Sequence, residues 1–210
     1  PPARLAVARA LLPLLLVGLL GTRTMLRNLD YRDDLRLYAA SLAATPDSPL
    51  LHNNLGYELL ERRDHAGAAR HLRRAIELRP TYAKAWLNLG LTYASQHRLE
   101  PAIDAYREAL RLRPDLAVAH HHLAQAYRHL GRLDAAARSV AEAIRLQPDY
   151  PPAHLNLAQI YQRQGREQEA LAAYERFLRL AHPEDPRRPA VQERVREIRA
   201  TLLEPGSRTP

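Results

Sequence analysis

The sequence predicts an all-α protein: a right-handed α-solenoid of stacked helix hairpins, with one membrane-type helix at its amino end. Three observations carry this. Pro46, Pro80, Pro114 and Pro148 stand 34 residues apart, and Leu-Arg-Pro or Leu-Gln-Pro closes three of the segments so defined. The chain has no cysteine and is poor in Val and Ile, which leaves out a disulfide framework, a zinc ribbon, a thiol nucleophile and a large sheet. Ala10 to Leu20 carries no charged or hydrogen-bonding side chain.

Residues 1–26 are assigned to the membrane-type helix and its flanks. The apolar run reaches back to Leu5 if Arg9 is admitted, about 16 residues against the roughly 20 of a full span. Arg9 and Arg23 lie about 21 Å apart along a helix, placed to snorkel toward opposite interfaces. A cleaved signal peptide is one alternative, though no Ala-x-Ala-like site follows the run; a buried helix is the other. The chain opens on Pro1-Pro2 rather than Met, so it is expected to be a piece of a longer protein. Residues 27–48 hold a junction and a degenerate half-repeat. Asp30 to Ala44 falls where a second helix belongs, but Asp34 stands where a small residue is expected.

Four full units follow, 49–82, 83–116, 117–150 and 151–184. The second has Trp86, Leu89, Gly90, Tyr93, Ala102, Tyr106, Ala109 and Pro114 at unit positions 4, 7, 8, 11, 20, 24, 27 and 32. Each unit reads as two amphipathic helices, in unit two roughly Lys84–Gln96 and Pro101–Arg113. Small residues at positions 8, 20 and 27 let backbones approach, Gly131 and Gly165 end first helices, and the proline stops second ones. The fourth unit is looser, with Phe177 at position 27 and its proline displaced to Pro183. Residues 185–210 close the stack: Pro189 to Leu203 puts Val191, Val195, Ile198 and Leu202 on one face as a cap, and Glu204 to Pro210 is expected to be a disordered tail. The pattern resembles the tetratricopeptide repeat (TPR) family, which implies a concave surface that binds extended segments of partner proteins.

The junction carries a second resemblance. Arg27-Asn28-Leu29-Asp30-Tyr31-Arg32-Asp33-Asp34, followed by Leu37-Tyr38, is similar to the join between the last membrane helix and the repeats in the transmembrane-and-TPR O-mannosyltransferases and their bacterial relatives. That resemblance implies the carboxyl-terminal part of a multi-spanning glycosyltransferase-like protein, anchored in a membrane. The repeats would lie on the extracytoplasmic side and engage the acceptor, and the sugar-transfer site would be elsewhere. A soluble or secreted scaffold or co-chaperone-like adaptor, with no link to glycosylation, is the alternative.

Within this chain no catalytic site, cofactor or metal is expected. There is no Gly-rich phosphate loop. Asp33-Asp34 and Glu184-Asp185 read as turn and helix-start residues. His120-His121-His122 diverge around a helix instead of recurring at i and i+4, and His52, His120 and His154 share position 4 with Trp86, which makes them substitutes for a packing aromatic. The candidate peptide-binding residues are those at position 6: Asn54, Asn88 and Asn156, with His122 breaking the series. An amide both donates and accepts, which suits an extended backbone, although asparagine here is equally part of the structural consensus. The groove is expected to be apolar near residue 50 and polar to basic farther on. Of the 31 basic residues one, Lys84, is a lysine, and the net charge of +8 divides as +2, +4 and +2 over residues 1–48, 49–184 and 185–210. So diffuse an excess does not call for a nucleic-acid partner.

Overall fold

The computed structural model describes residues 35–203. The membrane-type helix expected over residues 1–26, the Asp33-Asp34 pair and the tail from Glu204 lie outside them. Among the described residues, no helix is long and apolar enough to cross a membrane.

Helical residues 35–44 (α1) precede four hairpins: α2 Pro49–Glu61 with α3 His65–Leu78, α4 Ala83–Ser95 with α5 Leu99–Leu112, α6 Ala117–His129 with α7 Leu133–Leu146, and α8 Pro151–Arg163 with α9 Glu167–Leu180. A last helix, α10, spans Arg188–Leu203. α5 starts at Leu99, two residues before the expected Pro101, because a proline in the first turn removes an N–H that has no intrahelical partner anyway. Each helix touches its successor from α2 to α10, and α2, α4, α6 and α8 also touch one another in series. Those four therefore line the inside of the curve, and α3, α5, α7 and α9 the outside.

The small residues act as the spacing implied. A Cβ on Gly56 would come within 2.6 Å of Leu72 Cγ, and one on Gly90 within 2.5 Å of the Tyr106 ring. Ala68, Ala102, Ala136 and Ala170 at position 20 are all fully buried. Phe177 at position 27 faces the cap: it lies in one cluster with Val191, Val195 and Ile198 of α10 as well as Ala158 of α8. Leu202, expected on that buried face, is exposed.

Position 4 has a more specific role than packing. Trp86 Nε1 donates to the carbonyl of Pro80 at 3.0 Å. His52, His120 and His154 place Nε2 at 2.9, 3.0 and 2.7 Å from the carbonyls of Pro46, Pro114 and Pro148. A carbonyl only accepts, so each ring carries its proton on Nε2. One N–H at position 4 thus ties every first helix to the proline that ended the helix before it.

Position 15 is the other backbone constant. Gly131 and Gly165 have φ of 74° and 72°, and Arg63 and His97 adopt the same left-handed conformation at 62° and 58°. The loop between the two helices of a hairpin needs one residue with positive φ, whatever side chain it carries.

Candidate functional site

The inner face carries a succession of open cavities. At its amino end about 440 Å³ is enclosed by Tyr38, Asn53, Asn54, Tyr57, Glu58 and Lys84. Next comes about 450 Å³ between Leu60, Glu61, Arg63, His65, Leu91 and Ser95. A third space of about 340 Å³ shares Leu91 and Ser95 with the second and adds Ala94, Tyr106, His122, Gln125 and His129. The lining comes mostly from positions 5, 6, 9, 12 and 13 of the inner helices, where a 3.6-residue period puts one face. The first cavity is polar and aromatic, not apolar as expected; the apolar wall of Leu60, Leu91 and Ala94 lies in the middle.

The position-6 residues divide into two pairs. Asn54 lines the first cavity, its Oδ1 accepting from Asn53 Nδ2 at 3.2 Å. His122 lines the third, held by Gln125 at 3.0 Å and stacked on Tyr106 with ring centroids 6.0 Å apart. Asn88 and Asn156 are instead buried in the joints between units. Asn88 Nδ2 donates to Asn53 Oδ1 of the preceding unit at 2.9 Å. Asn156 Nδ2 donates to the His121 carbonyl at 3.5 Å, and its Oδ1 accepts from Arg128 Nε at 2.9 Å. Position 6 of one unit therefore meets position 5 of the unit before. Where that earlier residue is Leu87, which has no polar atom to offer, position 6 is His122.

The other singled-out residues are occupied by local structure. Asp185 receives Arg187 at 2.6 Å and the Arg187 backbone N–H at 2.9 Å, contacts that hold its carboxyl down at about 2. His121 is buried with Nδ1 unpartnered between His122 and Tyr150, and burial pushes its pKa down to about 3. Among the described residues no group of three or more His, Cys, Asp or Glu is placed to hold a metal.

Consecutive inner helices are also linked through arginine. Arg163 Nη1 donates to the backbone carbonyl of Arg128 at 2.8 Å, tying the end of α8 to the end of α6. A signal for it exists, since positions 12 and 13 of successive units both belong to the inner face and are adjacent across the joint.

A family model described as tetratricopeptide repeat matches residues 53–117 and 122–187. The chain is 39% identical over 75 residues to the protein O-mannosyl-transferase Tmtc1 of Drosophila melanogaster, a stretch that spans 36% of this chain and 8% of that relative. Among solved structures it is similar to a thermophilic TPR protein of Thermus thermophilus, with TM-score 0.64 and 25% identity over 81% of this chain and 91% of the other. It is also similar to YrrB, described as a TPR protein with an unusual peptide-binding site, with TM-score 0.65 and 17% identity over 79% of this chain and 83% of that one.

Proposed function

The chain belongs to the tetratricopeptide repeat family and is a protein–protein interaction module, and on that premise we propose that its inner channel holds an extended segment of a partner polypeptide. The observation that carries the reading is the succession of cavities from Tyr38 to His129, the later two joined through Leu91 and Ser95, lined by amides, imidazoles and apolar side chains together. Such a mixture suits a bare backbone with alternating side chains. Asn54 and His122 are the groups offered to the ligand, and Asn88 and Asn156 keep the helices that present them in register.

The wider proposal is that residues 1–26 anchor the module in a membrane with the repeats on the extracytoplasmic side, as the acceptor- or partner-binding part of a glycosyltransferase-like protein. Its support is the junction motif of residues 27–38 and the partial match to an O-mannosyl-transferase.

A photo-crosslinking residue placed at Tyr57 or Gln125 in the full chain should capture partner segments, and one at Arg111 on the outer helix α5 should not. Equal capture from both faces would overturn the groove reading. Alkaline carbonate extraction tests the anchor: release of the full chain into the soluble fraction would show that the first helix does not span.

A further inference from the structure

We propose that the carboxyl-terminal half of the channel selects an acidic segment, seating a Glu or Asp carboxylate of the partner between the guanidinium groups of Arg128 and Arg163. The inference rests on the groove reading above and assigns its chemistry.

Placement comes first. Arg128 occupies position 12, whose counterparts Leu60 and Ala94 line the channel, and Arg163 occupies position 13, whose counterparts Glu61, Ser95 and His129 do the same. The two are joined by the 2.8 Å hydrogen bond from Arg163 Nη1 to the Arg128 carbonyl. They come from consecutive inner helices, α6 and α8, which touch one another.

Their closeness sets them apart, because Arg163 bonds the backbone of Arg128 and no carboxylate of the described residues lies between them. Arg74, Arg111, Arg132, Arg145 and Arg166, on the outer hairpin helices or the turns leading into them, each hold a carboxylate at 2.6–2.9 Å. Neither Arg128 nor Arg163 pairs with a carboxylate among the described residues. Arg128 is part-buried, and its side-chain hydrogen bond goes to a neutral amide, that of Asn156 at 2.9 Å. Glu167 pairs with neither guanidinium, and its Oε2 is buried without a partner. Arg194 of the cap is already held by Glu197 at 2.6 Å. Burial and the neighbouring Arg163 both work against the charge on Arg128. A part-buried cation, Arg128, and an exposed one, Arg163, are brought together without an anion, and a planar fork is the geometry that takes a carboxylate with two hydrogen bonds.

The rest of the channel says which anion. Its amino-terminal half carries Glu58 and Glu61 beside Lys84 and Arg63, so its charges balance. A nucleic-acid strand, with a charge on every residue, would find no net attraction there, whereas a polypeptide can be acidic at one end and neutral at the other.

The test uses the full chain with ¹⁵N-labelled arginine side chains and two probes, N-acetyl-Glu-Glu-amide and N-acetyl-Gln-Gln-amide. The Nε–H signals of Arg128 and Arg163 should shift and saturate with the acidic probe, with affinity for the amide probe about tenfold weaker or worse. His129, whose pKa is lowered by burial and then by these two arginines, should titrate at higher pH once the acidic probe is bound. The R128Q and R163Q variants keep hydrogen-bond donors and should lose the preference, and R128K should retain part of it. No shift at either arginine would overturn the inference. A second arm screens arrayed extended peptides: capture without enrichment of Glu or Asp overturns the acidic assignment and leaves the groove reading standing, and no capture at all removes both. Tighter, R128Q-sensitive binding of an oligonucleotide would also overturn it.

Discussion

The first two units and the last two place their glycines differently. Units 49–82 and 83–116 have glycine at position 8, as Gly56 and Gly90, and a side chain at position 15, as Arg63 and His97. Units 117–150 and 151–184 reverse this, with Ala124 and Ala158 at position 8 and Gly131 and Gly165 at position 15. One residue type serves two needs: at position 8 it leaves room for a facing side chain, and at position 15 it permits a positive φ. The amino-terminal half meets the first need and accepts strain in the turn; the carboxyl-terminal half relieves the turn and restores a good helix former inside the helix. The cores agree, since the cluster around Leu72 and Leu89 is small and the one from Ala102 to Ile160 runs through three units. In a stack where each unit leans only on its neighbours, unfolding should start in α2 and α3.

The largest effect should come from removing the difference at position 8. Gly90→Ala would set a methyl 2.5 Å from the Tyr106 ring, which is fully buried and has little room to retreat. We expect a loss of about 2 kcal/mol from overpacking, less the gain in helix propensity, measured as a shift in urea midpoint. Gly56→Ala meets the branched end of Leu72, which can rotate, and should cost less. Equal losses at the two sites would mean that the space at position 8 is not set by the residue facing it.

What can be read beforehand follows the reach of each interaction. Helix positions, turn glycines and the cap come from contacts within a unit, and Pro80, Gly131 and Val191 announce them locally. The joints are harder, because their partners lie about one repeat apart: Asn88 with Asn53, Asn156 with His121. A single aligned column hides this, and only columns 5 and 6 read across successive units reveal it. His52, His120 and His154 do belong with Trp86, yet their shared hydrogen bond to a proline carbonyl is invisible in a sequence because backbone acceptors leave no letter. Arg63 and His97 in the left-handed region go unseen for the opposite reason: glycine marks that conformation, and there the mark is absent.

The second test contrasts the halves through pH. Burial holds His121 at a pKa of about 3, well below its ordinary 6.5. The unfolded chain therefore takes up the proton first, so the stability tied to neutral His121 is complete above about pH 6.5 and drains away as pH falls toward 3. This one group steepens the pH dependence by at most about 1.4 kcal/mol per pH unit. His121→Leu copies Leu87 and Leu155, the residues at position 5 in units two and four. Its urea midpoint should fall less than that of the parent between roughly pH 7 and pH 5, a window that avoids carboxylate titration. Parallel slopes would show that His121 is solvated.

The smallest effect, and the most direct test of the comparison, exchanges glycine at position 15. A side chain in the left-handed region costs about 1–2 kcal/mol, somewhat less for His, while a new glycine costs the folded state about 0.4–1 kcal/mol through unfolded-state entropy. Arg63→Gly should therefore gain about 1 kcal/mol or less, and His97→Gly less again. No heavy atom lies within 4 Å of where a Cβ would sit on Gly131 or Gly165. Their change to Ala meets backbone strain alone and should lose about 1 kcal/mol. Both arms can be read from thermal midpoints of single variants, with hydrogen exchange in α2 and α3 reporting whether the gain falls in the amino-terminal half. A loss on Arg63→Gly would mean that the Arg63 side chain contributes more at the channel wall than its backbone strain removes, and the first half would then owe its turn to the groove and not to tolerance.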